Sequence, residues 1–348
     1  MTNAANQAEA INHRTKEAAK TAASLEELFV DTNRYKTVLS EILIVHEQRK
    51  AADAAGTLKK ARGFALVAPT GSGKTRTLER AFSNIEAMNG KTGGPGDRIV
   101  LSLNVATPAN LKSVGIAILK ALGVHRLNEG PRSDSGTYPE IWEMIYAQLM
   151  LQKIEILHLD EAQDLYENAN KLQRKAVLNT LKTLTQNNAW PVCLVLSGTE
   201  QLERVLNDDY QLGRRLNTMN LAPLNYATDR KRLEKIVKTY IDGAGLQDNA
   251  STTDNFLPRM IVGTCARFGI FIEVLIEAVR SAVFSESPSV ELEHFCAGYK
   301  RRASCTAEFN PFISVEWRKI DASKLFERDL PPSVPRKRGR PTANTDDE

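Results

Sequence analysis

Long apolar runs are the first thing this 348-residue chain lacks: none approaches the about 18 residues that a membrane-spanning helix needs. The N-terminus has neither a basic stretch nor an apolar segment of the secretory kind, so a cytoplasmic protein with no membrane partner is expected. Cysteine is scarce. Cys193, Cys265, Cys296 and Cys305 are scattered without a Cys-x-x-Cys pair, which argues against disulfides and metal binding and for thiols of a reducing compartment. The five histidines are equally dispersed and give no ligand cluster. Charge of one sign is not in large excess either. At a net charge of +4, a case for nucleic acid has to rest on local patches and not on the field of the whole protein. A 42% hydrophobic and 25% charged composition is that of an ordinary globular protein. The length suffices for one α/β domain of about 160–200 residues, a smaller helical domain and flanking arms.

Against these absences stands one concentrated signal. The apolar run Phe64-Ala-Leu-Val67 feeds Ala68-Pro69-Thr70-Gly71-Ser72-Gly73-Lys74-Thr75, a glycine-rich loop that ends in Lys-Thr and opens a helix. Gly71 and Gly73 allow the backbone to curl its N–H groups toward phosphates, which the following helix N-terminus also attracts. In such a P-loop Lys74 reaches the β- and γ-phosphates of ATP, and the Thr75 hydroxyl holds Mg²⁺. Ala68 stands where the pattern has glycine, and alanine is acceptable there if the turn needs no positive φ. The bland alternative is a Gly/Ser/Thr turn with an incidental lysine.

About ninety residues on, Ile154-Glu-Ile-Leu-His-Leu159 reads as a mostly apolar strand ending in Asp160-Glu161. Beside a P-loop strand this is where a Walker B pair sits: Asp160 would hold Mg²⁺ through water, and Glu161 would polarise the attacking water as catalytic base. Without the P-loop, the same pair would read as a helix N-cap with a first-turn acid. His158 is expected to be a hydrogen-bonded core residue and not a catalyst.

The rest of the chain alternates. Strands are predicted at Phe64–Val67, Arg98–Leu103, Ile154–Leu159, Val192–Leu196 and Asn217–Leu221, and helices at Tyr35–Lys50, Pro108–Leu122, Tyr138–Gln152 and Lys171–Gln186. Alternation of this kind demands a parallel sheet with its active site at the strand C-termini. From Thr228 onward strands cease, and helices at Asp229–Asp242, Asn255–Val262 and Arg267–Phe284 suggest an all-α lid. The expected organisation is a polar arm (1–25) of helical composition but poor in core-forming residues, and a helical segment (26–61). An α/β ATPase core (62–225), the lid (226–285), a C-terminal segment (286–330) and a disordered basic tail (331–348) follow.

This sheet-then-lid order resembles the AAA+ ATPases, and their initiator-like branch in particular. The resemblance implies five parallel strands with a small helical lid. It puts the sensor-1 role, orienting the attacking water, on Ser197 or Thr199, with Ser197 preferred. It puts an arginine finger on Arg214 or Arg215 in Gln211-Leu-Gly-Arg-Arg-Leu216, completing a neighbouring subunit's site. It puts sensor 2 on Arg267, in Gly263-Thr-Cys-Ala-Arg267, reaching the γ-phosphate from the lid. The bland reading of the paired arginines is a solvated face.

Within AAA+, the chain resembles the TniB/TnsC family of transposition ATPases, relatives of MuB, over about residues 30–285. The details that carry this are Thr32-Asn-Arg-Tyr35, Pro108-Ala-Asn-Leu-Lys112 followed by Ile118-Leu-Lys-Ala-Leu-Gly123, Asp160-Glu-Ala-Gln163, and Ser197-Gly-Thr-Glu-Gln-Leu202. The resemblance implies an ATP-dependent oligomer or filament on double-stranded DNA that marks a target for a transposase, with a TniQ-like targeting protein as a further partner, and with hydrolysis driving disassembly. It places the DNA-facing surface near Thr107 and Lys112, with Lys182 as a further candidate.

The tail, Pro335-Arg-Lys-Arg-Gly-Arg-Pro341, resembles an AT-hook. Gly339 at the groove floor would let Arg338 and Arg340 enter a narrow A·T minor groove, while Arg336 and Lys337 neutralise phosphates. The alternative is a tail kept soluble by its prolines and acidic end. Two other readings of the whole chain share these residues. One is a helicase loader or origin-binding ATPase, against which residues 286–330 look too short for a winged-helix domain. The other is a DNA scaffold with nucleotide as a structural ligand, against which Glu161 argues.

Overall fold

The computed structural model describes residues 2–105, 109–124, 137–167 and 169–326. Five parallel strands form the central sheet: β1 (Gly63–Val67), β2 (Val100–Asn104), β3 (Ile156–Asp160), β4 (Cys193–Gly198) and β5 (Leu216–Asn220), in the order β2-β3-β4-β1-β5. All five predicted strands are present, each displaced by no more than a few residues. β1, β3 and β4 are buried along their whole length, so their apolar runs need no alternation. Period-2 geometry still sorts them: Phe64 and Leu66 point to one face of the sheet, and Ala65 and Val67 to the other.

The first of these faces is covered by α2 (Asn33–Ala54) and α3 (Lys74–Met88), through Val38, Ile42, Leu78 and Ile85. The second is covered by α4 (Leu111–Ala121), α5 (Tyr138–Leu151), α7 (Lys171–Gln186) and α8 (Glu200–Asp208), the short α6 (Asp164–Glu167) lying between β3 and α7. The caps follow the sequence. Thr32 accepts the Tyr35 N–H at 3.2 Å to start α2, and Asn110 and Asn170 form capping boxes with Ser113 and Gln173.

After α9 (Tyr210–Gly213) and β5 the chain enters a helical layer: α10 (Tyr226–Gly243), α11 (Phe256–Gly263), α12 (Phe268–Phe284), α13 (Leu292–Ala303) and α14 (Ser323–Phe326), with a two-strand ribbon of β6 (Gln247–Asp248) and β7 (Ser289–Val290). Two segments join its core that the sequence pattern set apart. The expected polar arm, residues 1–25, falls in helix α1 (Thr2–Glu26), docked on α12 with Ala18, Ala22 and Leu25 buried. Two alanines and a leucine leave too little apolar signal to mark a packing face, yet small side chains allow close helix approach. The C-terminal aromatics Phe295, Tyr299, Phe312 and Phe326 stack against one another and against Phe256 within the same core. All four cysteines are free, and among the described residues no helix is long and apolar enough to cross a membrane. The basic motif at 335–341 lies outside the described residues.

Candidate functional site

Because the strands are parallel, their C-terminal ends lie together, and β4 sits between β1 and β3. The P-loop after β1 and the acids after β3 therefore flank the end of β4. Gly71 and Gly73 hold φ of 78° and 83°, the left-handed conformation for which glycine was expected. Ala68 is absent from the positive-φ residues, so its departure from the glycine pattern adds no strain. The Lys74 ammonium folds back onto the loop, donating to Ala68 O at 2.7 Å. Burial lowers its pKa, with Arg267 adding to the shift and Glu161 and Asp160 opposing it.

Thr75 and Asp160 meet as the motif order requires: Thr75 Oγ1 donates to Asp160 Oδ2 at 2.7 Å across 85 residues of sequence. Asp160 Oδ1 accepts the Ser197 hydroxyl at 2.5 Å and the Glu161 N–H at 3.0 Å. Burial opposes ionisation of Asp160, but these hydrogen bonds and that from Thr75 outweigh it and leave the pKa below the ordinary aspartate value. Behind Ser197 lies His158, whose pKa burial drives well below the usual imidazole value, so it is neutral at physiological pH.

Glu161 holds φ of 53°, a left-handed conformation that costs a non-glycine residue on the order of 1 kcal/mol or more. Its Oε2 accepts from the Gln163 amide at 2.6 Å, and Gln163 Oε1 in turn accepts the Thr199 N–H at 3.2 Å. Gly198 makes room for this: a Cβ there would lie 2.2 Å from Gln163 Oε1. Ser197 is wholly buried and committed to Asp160, whereas Thr199 Oγ1 is buried without a hydrogen-bond partner among the described residues.

The lid closes the site from above. A turn with Cys265 and Ala266 both at positive φ, of 53° and 55°, delivers Arg267 beside Gly71 and starts α12 directly on the P-loop. Ile270 N–H donates to Gly71 O at 3.1 Å, and a Cβ on Gly269 would lie 2.6 Å from the same oxygen. A cavity of about 860 Å³ runs outward from the loop between Phe29, Val30, Tyr240, Phe268 and Ile272. The Leu28 carbonyl fixes one wall, accepting Tyr240 OH at 2.9 Å from the lid and Arg76 Nη2 at 3.2 Å from α3.

Residues 58–206 match the family model described as an AAA domain. Among solved structures, the chain is similar to the ORC2 protein of Aeropyrum pernix in ADPNP–ADP complexes, at 12% identity and a TM-score of 0.57, covering 81% of this chain and 72% of that one. It is also similar to the ORC1 protein of Aeropyrum pernix in complex with DNA, at 19% identity and a TM-score of 0.55, covering 83% and 70%. The fold is that of an AAA+ ATPase. A comparison with curated proteins finds no match.

Not every residue expected in the AAA+ site is brought to it. Arg214 and Arg215 precede β5, and Gly63 N–H, at the start of β1, donates to Arg215 O at 3.0 Å. They thus lie at the end of the sheet opposite the P-loop, a five-residue strand or about 16 Å away. There they line a cleft of about 360 Å³ with Lys60 and Arg62, four cations with no acid in the lining, and Arg215 Nη1 is buried without a hydrogen-bond partner among the described residues. Lys182, expected as a DNA contact, is held by Asp209 at 2.7 Å with its side chain only 15% exposed. Since Asp209 also caps α9, which ends at Arg214, Lys182 braces the arginine turn and presents no free charge for a phosphate. Lys112 lies in the first turn of α4; Thr107 lies outside the described residues.

Gln163 and the Phe29–Val30 wall were not assigned from the sequence. Gln163 stands two residues from the expected base, and an apolar pair just before the Thr32 cap is a signal for a pocket wall. The cations Lys60 and Arg62 gave none, being separated from Arg214 by about 150 residues of chain.

Proposed function

We propose that this chain is an ATP-hydrolysing AAA+ ATPase of the initiator-like type, whose sites are completed between subunits and whose output is an assembly on double-stranded DNA. The observation that carries the hydrolytic part is the Thr75–Asp160 contact at 2.7 Å with Glu161 next in the chain. The residues fit a triphosphate with a divalent ion: two positive-φ glycines curl the loop, a buried lysine lies under it, and a hydroxyl and an ionised carboxylate meet beside it. Thr75 and Asp160 would hold Mg²⁺, which supplies charge neutralisation of the phosphate oxygens.

Lys74 exchanges its carbonyl partners for phosphate oxygens, its buried charge gaining a stronger counter-ion. Glu161 takes the proton of the attacking water, its carboxylate oriented by Gln163. Thr199, whose hydroxyl has no partner among the described residues, is better placed than Ser197 for the sensor-1 role. Arg267 would meet the γ-phosphate from the lid, and Phe29 and Val30 would line the space for the nucleotide base. Arg214 and Arg215 cannot reach their own P-loop, which supports action on a neighbour's triphosphate and hence oligomerisation.

The finer reading, a TniB/TnsC-like regulator that serves a transposase, is supported by the motif resemblance over residues 30–285. The structure gives those motif residues definite positions: Thr32 caps α2, Tyr35 is buried beside Phe29, and Gln163 holds Glu161. The basic run 336–340 and the Lys60–Arg62–Arg214–Arg215 cleft supply positive charge for DNA or for a neighbour's phosphates. Electron microscopy with duplex DNA and ATP, a non-hydrolysable analogue or ADP tests the assembly. Ordered particles or filaments with triphosphate, absent with ADP and absent for Lys74→Ala, are expected; DNA binding indifferent to nucleotide would favour a scaffold.

A further inference from the structure

A continuous hydrogen-bonded chain crosses three neighbouring strands behind the catalytic acids. Ser102 Oγ on β2 lies 2.8 Å from His158 Nδ1 on β3, His158 Nε2 lies 2.7 Å from Ser197 Oγ on β4, and Ser197 Oγ lies 2.5 Å from Asp160 Oδ1. Its proton positions follow from the chemistry of the groups. An ionised Asp160 only accepts, so the Ser197 hydroxyl proton must lie between Ser197 and Asp160. Ser197 has one such proton and therefore accepts from His158, which fixes the imidazole as the Nε2–H tautomer. His158 Nδ1 is then an acceptor, and Ser102 donates to it. The outer end, Ser102, is exposed, while His158 and Ser197 are buried; the Phe82 ring packs on the imidazole with centroids 5.0 Å apart.

We infer that His158 is a positioning residue for the metal-binding carboxylate: by donating to Ser197 it commits that hydroxyl to Asp160 Oδ1, leaving Oδ2 turned toward Thr75 and the divalent ion. With an apolar side chain at 158, Ser197 Oγ loses its donor and its hydroxyl is less firmly committed to Asp160, which leaves the Glu161 N–H as the main restraint on Oδ1 and lets the carboxylate turn more easily from Thr75. The inference rests on the metal–nucleotide reading of this site and assigns Ser197 to the metal ligand, not to the attacking water. It also accounts for a polar imidazole buried inside a strand.

The test is binding of a fluorescent non-hydrolysable ATP analogue to the full chain, measured in EDTA and across a Mg²⁺ titration. Outer partners of metal ligands typically contribute about ten- to hundredfold in metal affinity. His158→Leu is therefore expected to need about tenfold more Mg²⁺, with its affinity in EDTA unchanged, and His158→Gln, whose amide can still donate to Ser197, to recover most of the loss. Ser102→Ala, at an exposed position, is expected to shift the midpoint in the same direction by a smaller factor than His158→Leu, as a partner one step further out. Midpoints for His158→Leu and Ser102→Ala equal to wild type, or a loss in His158→Gln equal to that in His158→Leu, would overturn the inference. A wild type whose binding ignores Mg²⁺ altogether would instead remove the ATPase reading, and this one with it.

Discussion

At the residue scale, the site is a set of short polar contacts that each fix one reacting group. Gln163 is the plainest case, since its amide holds Glu161 Oε2 at 2.6 Å while its carbonyl is pinned by Thr199 N–H. Gln163→Ala should lower kcat by about tenfold or more, a part of the 10²–10⁴ that a positioned general base supplies, and leave nucleotide affinity unchanged; steady-state kinetics with parallel binding measurements check this split. A second network, partly buried at the other end of the sheet, links stability to pH. His46 Nε2 donates to Glu155 at 2.6 Å, and Arg49 lies 3.6 Å from the same carboxylate, its guanidinium stacked on Trp190. Burial alone would raise the Glu155 pKa, but the His46 hydrogen bond and the Arg49 charge outweigh it and depress the folded-state value. A depressed folded-state pKa means stability that is fully present above the ordinary glutamate value of 4.5 and lost as pH falls through and below it. Denaturation midpoints measured from pH 7 to pH 3 should fall along this course, and Glu155→Gln should flatten the fall.

At the element scale, the contact that matters most is the start of α12 on the P-loop. Gly269 is required there by close approach, because a Cβ would lie 2.6 Å from Gly71 O and 3.1 Å from Gly73 N, both backbone atoms that cannot rotate aside. Gly269→Ala should loosen the lid on the loop, at a cost of about 1–3 kcal/mol as for other overpacked contacts, and should weaken nucleotide binding together with stability; titration of both quantities in one variant checks it. The strands and most helices were legible in the sequence because their signals are local, an apolar run before a glycine-rich loop or a 3.6-residue period. What was not legible is long-range. The pairings of His158 with Ser102 and Ser197 span 56 and 39 residues, and α1 docks through two alanines and one leucine that mark no apolar face. The meeting of Thr75 with Asp160 could be expected because phosphate and metal chemistry demands particular residue types at fixed spacing. The pairing of Lys182 with Asp209 was equally hidden, because a lysine on a helix gives no sign in sequence of the aspartate that holds it.

At the scale of the whole molecule, the α/β core and the helical layer meet around the cavity, joined by the Leu28 carbonyl, the α12 start and Arg267. A ligand bound there touches both, so its presence and its hydrolysis have a direct route to the relative position of core and lid. In the proposed assembly, the arginine cleft at the opposite end of the sheet would give the same event a route to a neighbouring subunit. All of this depends on the cavity being a hydrolytic site and not a resting place for nucleotide. Phosphate release by wild type and Glu161→Gln, with nucleotide affinity measured on the same samples, tests that most directly. Turnover is expected to fall by about 10²-fold or more from wild type to Glu161→Gln while binding is retained; equal turnover in the two proteins would rule out a hydrolytic role for Glu161.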